Sequence, residues 1–379
     1  MTLGNETFLA ESWRELRGRT VGVVTNQTGV TGTLETIVDA IRHNPEIDLK
    51  AIYSPEHGLR GDQAAGAYVA SYVDEHSTLP VYSLYGATRH PSAAMLAGID
   101  VLLFDIQDVG DRAYTFISTL AYVMLAAKAY GKAVWVLDRP NPLGGDVVEG
   151  PVLEPKFASF IGLYPLPIRH GMTIGELAKM YNERFAIHCD LRVIPMRNYT
   201  RAMLWPDTGL EWVQTSPNIP EWSTTLVYPA TGLIDGAGVN NGTNYTKPFK
   251  YAGAYGLDGF RLAGYLNDRP IPGVHFRAAS WMPLAGFWGG KTLSGVELVI
   301  TDARAFRAVR TAVEILVAVR KISPATISIH SSAGLDKDWG TDTLRHGLQD
   351  GLDADTILKR WEPATRAFVE AREKYLIYT

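Results

Sequence analysis

Residues 100–108 read DVLLFDIQD, an apolar run that ends in two acids and an amide. A short, nearly continuous apolar run of this kind is typical of a strand buried on both faces of a parallel sheet. Comparable runs recur at 20–26, 49–54, 79–86, 133–138 and 190–196. Because helical stretches lie between them, the sequence predicts βαβ units and an α/β fold built on a Rossmann-like, doubly wound parallel sheet.

The helical stretches share apolar residues at helical spacing, and they are predicted at 33–44, 91–99, 115–131 and 172–185. The last of these opens with a capping box, in which Thr173 is the N-cap and Glu176 follows three residues later. Residues 197–260 are rich in Pro, Gly, Asn and Trp, which predicts a long functional connection.

From about residue 270 the pattern changes to a strand at 295–302, a long amphipathic helix at 303–322 and further helices near the end. This pattern predicts a second, smaller α+β domain, with a boundary somewhere in 235–270. We expect a Rossmann-like catalytic domain over 1–240 and an auxiliary domain over 241–379.

Composition excludes several classes of protein. The net charge of −4 and the absence of basic runs argue against a nucleic-acid partner. The single cysteine, Cys189, excludes an internal disulfide.

No apolar segment reaches the ~18 residues that a membrane span requires. The first twenty residues contain no apolar secretion signal, so we expect a cytoplasmic protein, although a trimmed secreted form would look the same. The oligomeric state stays open.

No motif for a common cofactor is present. The first strand is not followed by G-x-G-x-x-G, there is no Walker A or G-x-S-x-G sequence, and no histidines have H-E-x-x-H spacing. These absences argue against a dinucleotide site, a phosphate-binding P-loop and a serine-hydrolase elbow.

Polar residues follow every predicted strand of the first domain. The carboxyl ends of parallel strands meet at one edge of an open sheet, where ligands bind. Buried polar groups are costly without partners, so this concentration predicts a ligand crevice. The residues concerned are Asn26, Glu56, His57, Tyr85, Asp105, Gln107, Asp108, Arg112, Asp138, Arg139 and Asn141.

Two further candidates lie outside the strand ends. Glu149 follows the turn at 138–145, and His170 precedes the capped helix, whose N-terminus favours anions. Structural roles remain open for several candidates: Glu56 as a turn cap, His57 as a hydrogen-bonded orienter, and Asp105 in an ion pair with Arg112.

Carboxylates, amides and aromatic residues together are typical of sites that hold polar rings such as sugars. The middle of the chain adds the aromatic residues Trp205, Trp212, Trp222, Tyr228 and Tyr245. A pair of carboxyl groups is what glycoside hydrolysis requires. Two alternatives stay open at this point: a non-catalytic sugar-binding protein, and a magnesium-dependent phosphate-ester hydrolase that uses Asp105 and Asp108.

The order of several motifs resembles the NamZ-type exo-β-N-acetylmuramidases, which are peptidoglycan glycoside hydrolases. The resemblance extends from about residue 18 to 378 and is carried by TNQTGV, SPEHGLRG, PVYSLYG, DVLLFDIQDVGDRAYTFISTL, VLDRPNPLGG, VEGPVL, RHGMTIGELA, SPNIP and KYLIY. It implies an active site between a Rossmann-like and a smaller domain. It also implies release of N-acetylmuramic acid from the non-reducing end of peptidoglycan fragments, without cofactor or metal. The partner would then be a small carbohydrate.

The resemblance also implies roles for individual residues. Glu56 stands in the PEHG motif as a catalytic acid, with Asp108 or Glu149 as the second carboxylate. The predicted substrate-binding residues are Asn26, His57, Tyr85, Asp105, Gln107, Arg112, Tyr114, Arg139, Asn141, His170, Asn218 and Asp235. Two working carboxyls about 5–5.5 Å apart would give retention, and about 6.5–9.5 Å would give inversion.

The sequence departs from the family pattern at residues 235–249, which read DGAGVNNGTNYTKPF. The family usually has E-G-T-N-x-S-x-G-R-G-T-x-x-P-F, so Asp235 replaces a glutamate and Thr243 replaces an arginine. Arginine is a natural partner of a carboxylate such as the lactyl group of muramic acid. Lys247 or Lys250 could supply that charge, or the substrate could be another N-acetylated amino sugar.

Overall fold

A computed structural model describes residues 1–327 and 332–379 of the chain. Its larger sheet has seven strands in this described part. They are β1 (Thr20–Thr25), β2 (Asp48–Ser54), β3 (Tyr72–Val73), β4 (Pro80–Ser83), β5 (Val101–Asp105), β6 (Ala133–Leu137) and β7 (Asp190–Ile194). Their order is β3-β4-β2-β1-β5-β6-β7, and only the short edge strand β3 is antiparallel to its neighbour. The predicted doubly wound parallel sheet is therefore confirmed.

The sheet reverses its direction of growth between β1 and β5. The chain runs outward from β1 through β2 to β4, then returns to the other side of β1 and continues through β5 and β6 to β7. At the end of these two central strands, Thr25 lies opposite Asp105. Such a switch point opens a crevice at the carboxyl ends of the strands, because the loops on either side turn away from each other.

Five helices belong to the first 231 residues. They are α1 (Gly4–Ala10), α2 (Ile37–Arg42), α3 (Phe116–Tyr130), α4 (Ile174–Glu183) and α5 (Trp222–Thr231). Side chains of α1 and α2 cover one face of the sheet, where Ile41 is buried with Val23 and Leu103. On the other face, α3 and α4 bury residues against Phe104 and Val136. Each large aliphatic side chain buried in this way stabilises the fold by about 1.5–3 kcal/mol.

Most of the predicted elements of the first domain are present, and the capping box of α4 is confirmed. The Thr173 hydroxyl accepts from the Glu176 amide at 3.2 Å, and the Glu176 carboxylate accepts from the Thr173 amide at 3.0 Å. The predicted helix at 91–99 is wrong, because these residues form successive turns between Pro91 and Gly98, which has a φ of +72°. The predicted connection at 197–260 contains α5, which sequence periodicity did not reveal.

The rest of the chain builds a smaller α+β domain, as predicted. Its antiparallel sheet has the order β8-β10-β9, with β8 (Tyr251–Ala254), β9 (Val274–Trp281) and β10 (Leu293–Ile300). Its helices are α6 (Gly259–Asn267), α7 (Ala308–Ile322), α8 (Ser332–Trp339), α9 (Thr343–Gln349), α10 (Ala354–Lys359) and α11 (Glu362–Arg372). The division at residues 240 and 241 stays a prediction. No helix in the described ranges is long and apolar enough to cross a bilayer.

Buried arginines join the two domains. Arg112 follows the β5 loop and donates to the carbonyls of Pro151, Leu166 and Asp338 at 3.3, 3.2 and 2.7 Å. Arg372, at the end of α11, donates to the carbonyl of His170 at 3.0 Å. Hydrogen bonds from a charged group contribute more than neutral ones, so these contacts hold the domains in one arrangement.

Candidate active site

Glu56 lies just beyond the end of β2, on the crevice side of the sheet. Its side chain is 7% exposed, and both carboxylate oxygens are held. One accepts from the Gly66 amide at 2.8 Å, and the other accepts from the Thr115 hydroxyl at 2.6 Å. Thr115 stands at the start of α3, so the carboxylate is fixed from two different segments. Such fixing is a requirement of a group that must meet a substrate atom in one geometry.

The turn that carries Glu56 has an unusual backbone. His57 has a φ of +70°, a region that non-glycine residues rarely adopt, and Gly58 follows with a φ of +77°. The His57 ring nitrogen Nδ1 lies 2.8 Å from the carbonyl of Gln63, so this nitrogen carries the proton and donates it. The ring therefore fixes the turn, as an orienter would. Substrate binding by His57 stays a prediction.

Aromatic side chains form one wall beside Glu56. The Glu56 carboxylate and the Arg89 guanidinium both act on the pKa of the Tyr85 hydroxyl. Burial, followed by the charge of Glu56, raises the pKa of Tyr85. The Arg89 guanidinium lies over the Tyr85 ring at 4.8 Å and over the Phe160 ring at 4.4 Å. A flat aromatic surface next to a carboxylate suits the apolar face of a sugar ring.

Tyr114 and Tyr228 form a second aromatic pair near Glu56. Their rings meet edge to face at 5.7 Å, and the Tyr114 hydroxyl donates to the Thr215 hydroxyl at 2.9 Å. Burial is the main cause of the raised pKa of both tyrosines, and the charge of Glu56 adds to both shifts. The charge of Asp235 also reaches Tyr228. Residues from the loop after β5, from α5 and from the segments on both sides of α5 therefore converge around these two rings.

Two buried acids lie in the loop that follows β5. Asp108 accepts from the Gly110 amide and Asp111 from the Ala113 amide, both at 2.7 Å. In each carboxyl the other oxygen is buried without a hydrogen-bond partner among the described residues. Burial raises the pKa of each group to about 7. The charge of Asp108 raises the pKa of Tyr114, and the charge of Asp111 raises the pKa of Tyr228, so both acids lie near this tyrosine pair.

Asn26 and Gln107 line the switch point together. Asn26 Oδ1 accepts from the Thr28 hydroxyl at 2.6 Å, and the Thr28 hydroxyl accepts from the Gln107 amide at 2.9 Å. The Asn26 amide nitrogen and the Gln107 side-chain oxygen are buried without a partner in the described part of the chain. Such unpaired polar atoms are uncommon in protein interiors. Those that do occur are often found where a ligand or water binds.

Asp105 and Arg139 form a buried ion pair beneath the crevice. Arg139 Nε lies 2.6 Å from Asp105 Oδ1, and the side chains are 3% and 0% exposed. Asn5 donates to the other Asp105 oxygen at 3.0 Å, and Arg139 also donates to the Val30 carbonyl at 2.7 Å. The expected alternative pairing of Asp105 with Arg112 is wrong, because Arg139 is its partner. Substrate contact by Asp105 and Arg139 stays a prediction.

Asn141 and His170 lie deeper, behind the loop after β6. Asn141 donates to the Met172 carbonyl at 3.0 Å and accepts from the Leu143 amide at 3.0 Å. His170 is fully buried and accepts from the Met172 amide at 3.2 Å. Burial, followed by the charge of Arg372 and other arginines, lowers the pKa of His170 to about 3. The imidazole is therefore neutral. Its Nδ1 contact is with the protein itself, and its Nε2 atom is buried without a hydrogen-bond partner among the described residues.

Glu149 lies in a different cavity from the Glu56 site. This cavity of about 420 Å³ is lined by Glu149, Arg307 and Trp361, among others. Glu149 Oε2 lies 3.4 Å from Arg169 Nη1, and burial raises the pKa of the carboxyl, although both arginines lower it. Asp108 and Glu149 are the two candidates for the second carboxyl group. Only Asp108 acts on a residue, Tyr114, on which Glu56 also acts.

Asn218 and Asp235 stand on the loops that frame Tyr228. Asn218 is half-buried in the SPNIP segment, which is tied to Tyr114 through Thr215. Asp235 and Thr243 line a further cavity of about 430 Å³ together with Trp288. Both residues of the altered 235–249 motif therefore face open space at the domain junction.

The structure adds site residues that sequence reasoning did not select: Arg89, Asp111, Thr115, Phe160 and Asp338. Arg89 follows the PVYSLYG motif by only three residues, and Asp111 and Thr115 lie within the quoted motif at 100–120. Their positions in or next to family motifs could therefore have indicated them. Phe160 and Asp338 come from distant segments and carry no local signal. Among the described residues, no three His, Cys, Asp or Glu side chains are placed to hold a metal ion.

Comparison with known proteins matches the whole chain to one family. The N-terminal family model of the exo-β-N-acetylmuramidase NamZ covers residues 21–223, and the C-terminal model covers residues 226–378. The peptidoglycan β-N-acetylmuramidase NamZ of Bacillus subtilis strain 168 is 45% identical over 375 residues, which is 99% of this chain and 91% of that protein.

Two solved structures from Bacteroides fragilis NCTC 9343, both described as DUF1343 family proteins, share the fold. One has a TM-score of 0.93 at 34% identity, and the other has a TM-score of 0.73 at 28% identity. Each comparison covers 100% of this chain and 99% of the other. The fold described above is therefore that of the family over its full length.

We predict that Arg139→Met lowers the free energy of unfolding by about 3–5 kcal/mol, because it leaves the Asp105 carboxylate buried and unpaired. The double variant Asp105→Asn, Arg139→Met should recover part of this loss. Urea unfolding measures both. Arg17→Met, which breaks the exposed pair with Glu46, is the matched control and should cost at most about 1 kcal/mol. A stable Arg139→Met protein without activity would instead indicate a role in substrate binding.

We also predict a pH-dependent effect of Asp111→Asn. The pKa of Asp111 is raised from 3.8 to about 7 by burial, so the folded state binds more protons than the unfolded state between these values. Raising the pH through this window therefore destabilises the wild type, by up to about 1.4 kcal/mol per pH unit. The asparagine variant lacks this contribution.

Urea unfolding of both proteins at pH 5, 6, 7 and 8 tests this prediction. The stability of Asp111→Asn relative to the wild type should rise with pH up to about 7 and then level off. Asp350→Asn, at an exposed acid, is the control. A difference between wild type and Asp111→Asn that stays constant with pH would contradict the assignment.

Proposed function

The chain belongs to the NamZ family of exo-β-N-acetylmuramidases, and we propose that it releases N-acetylmuramic acid from the non-reducing end of peptidoglycan fragments. The observation that carries this proposal is the position of Glu56. Its carboxylate is held at the end of β2 by the Gly66 amide and the Thr115 hydroxyl, and its charge raises the pKa of both Tyr85 and Tyr114. A fixed carboxyl group beside aromatic side chains can serve as one of the two carboxyl groups that cleavage of a glycosidic bond uses.

In the proposed reaction, Glu56 acts as the general acid. It transfers a proton to the glycosidic oxygen as the bond between that oxygen and C1 of the terminal sugar breaks. A water molecule supplies the oxygen that becomes bonded to C1, and its proton passes to a base. The products are free N-acetylmuramic acid and a glycan shortened by one sugar.

We assign Asp108 as the second carboxyl group of the reaction. It shares Tyr114 with Glu56, and one of its oxygens is buried without a partner in the described ranges. Its pKa of about 7 allows it to accept a proton near neutral pH. Glu149, by comparison, is paired with Arg169 in the separate cavity. If the substrate's own N-acetyl oxygen attacks C1 instead, Glu56 is the only protein carboxyl that the reaction needs.

Two observations weigh against the alternative of a magnesium-dependent phosphate-ester hydrolase. Both carboxylate oxygens of Asp105 already accept from Arg139 and Asn5. Asp108 is held by the amide of Gly110 in a different loop turn. The two acids of the D-x-x-D sequence therefore do not present a shared pair of oxygens to a cation.

We predict that Glu56→Gln lowers kcat for the disaccharide of N-acetylmuramic acid and N-acetylglucosamine by about 10²–10⁴-fold, because the sugar leaving group must be protonated as the bond breaks and glutamine has no acidic proton to transfer. The measurement is release of free N-acetylmuramic acid, with product identity checked by mass spectrometry. Glu75→Gln, at an exposed acid, is the matched control and should keep wild-type activity.

The same assay separates the alternatives. Near-normal turnover by Glu56→Gln would remove Glu56 from its catalytic role. A wild type that binds N-acetylmuramic acid glycosides without cleaving them would favour a sugar-binding protein. Cleavage of the corresponding N-acetylglucosamine glycoside alone would mean that the 235–249 segment has changed the sugar specificity.

A further inference from the structure

N-acetylmuramic acid differs from N-acetylglucosamine by a lactyl ether that ends in a carboxylate. A site that selects this sugar needs a cation, and arginine is the usual partner of a carboxylate because it pairs through two parallel N–H donors. Position 243, where the family pattern has arginine, is Thr243 in this chain. The cation must therefore come from elsewhere.

The cations near position 243 already have partners. Lys247 Nζ lies 2.5 Å from the Glu297 carboxylate, and Lys250 pairs with Glu221. The expectation that one of these lysines replaces the missing arginine is therefore not supported by their contacts. Arg112 is no better placed, because it is buried and donates to three backbone carbonyls.

Arg89 is different from these cations in two respects. Its side chain is exposed, and in the described part of the chain it has no carboxylate within ion-pair distance. It is nevertheless held in place, since its guanidinium lies over the rings of Tyr85 and Phe160. Stacking of this kind fixes the plane of the guanidinium while leaving N–H donors at its edge for a ligand.

The position of Arg89 relative to the reaction is also defined. The Arg89 guanidinium lies 4.8 Å from the centre of the Tyr85 ring, and the Glu56 carboxylate acts on the pKa of the hydroxyl of the same tyrosine, so Tyr85 neighbours both groups. The lactyl group extends from O3 of the same sugar whose C1 is cleaved. A sugar that places its glycosidic oxygen at Glu56 can therefore direct its lactyl carboxylate toward Arg89.

We infer that Arg89, stacked on Tyr85 and Phe160, binds the lactyl carboxylate of the terminal N-acetylmuramic acid and is the main determinant of specificity for this sugar. The inference rests on the proposed function and adds to it the residue that recognises the anionic substituent. Arg89 acts through binding and takes no part in proton transfer.

The test compares two substrates that differ only in charge. One is 4-nitrophenyl β-N-acetylmuramic acid, and the other is the same glycoside with its lactyl carboxylate converted to a methylamide. For Arg89→Met, kcat/KM on the acid should fall about 10- to 100-fold, mainly through KM, because a charge-assisted pair is lost. On the methylamide, kcat/KM should stay within about twofold of the wild type. Arg89→Lys should recover part of the loss as a point charge.

Inhibition of turnover by free N-acetylmuramic acid gives a second readout, and its Ki should rise in Arg89→Met by a similar factor. Arg261→Met, at an exposed arginine of α6, is the matched control and should match the wild type on both substrates. Equal losses of Arg89→Met on acid and methylamide would show that Arg89 supports the wall or Glu56 and would overturn the inference, as would no loss at all. A wild type that cleaves neither glycoside would instead contradict the proposed function.

Discussion

A buried ion pair between Asp105 and Arg139 lies under the point where the sheet changes its direction of growth. Asp105 ends β5, Arg139 follows β6, and the same pair holds Asn5 of α1 and the carbonyl of Val30 after β1. Separating these charges in a protein interior costs several kcal/mol, so the loops after three neighbouring strands are held in one arrangement. The crevice above them is therefore preformed, and the polar residues that line it do not have to be organised by a ligand.

In the site above this ion pair, some polar groups are hydrogen-bonded and others have no partner among the described residues. Glu56 is fixed by Gly66 and Thr115, whereas Asn26, Gln107 and Asp108 each keep one buried polar atom without a partner in the described residues. Tyr228 of α5 meets the ring of Tyr114, and the charge of Asp235 acts on the pKa of Tyr228. This combination is typical of a carbohydrate site, in which rigid aromatic surfaces position the sugar ring and a few polar groups select its substituents.

Much of the fold could be predicted from the sequence because buried parallel strands are apolar throughout, as in residues 100–105, and because α4 carries a complete capping box. The helix predicted at 91–99 failed because apolar residues there pack as turns between Pro91 and Gly98. Helix α5 was missed since Pro229 lies inside it and Trp and Thr dominate its first turn.

The crevice itself followed from one rule, that polar residues after parallel strands meet at one edge. The rule could not distinguish residues that lie beneath the crevice from residues that line it. Asp105 and Arg139 have the same position in their motifs as Glu56 has in its own, yet they lie beneath the crevice with their charges paired. Residues such as Phe160 reach the site only through the tertiary fold, so no pattern within their own segment indicates them.

The central claim is that one sugar ring lies with its scissile bond at Glu56, above the Asp105–Arg139 floor. A crystal structure of the Glu56→Gln variant with the disaccharide of N-acetylmuramic acid and N-acetylglucosamine tests it most directly. The account predicts the glycosidic oxygen within hydrogen-bond distance of residue 56, the terminal ring against Tyr85 and Phe160, and its carboxylate on Arg89. A disaccharide bound instead in the cavity beside Glu149, remote from residue 56, would contradict it.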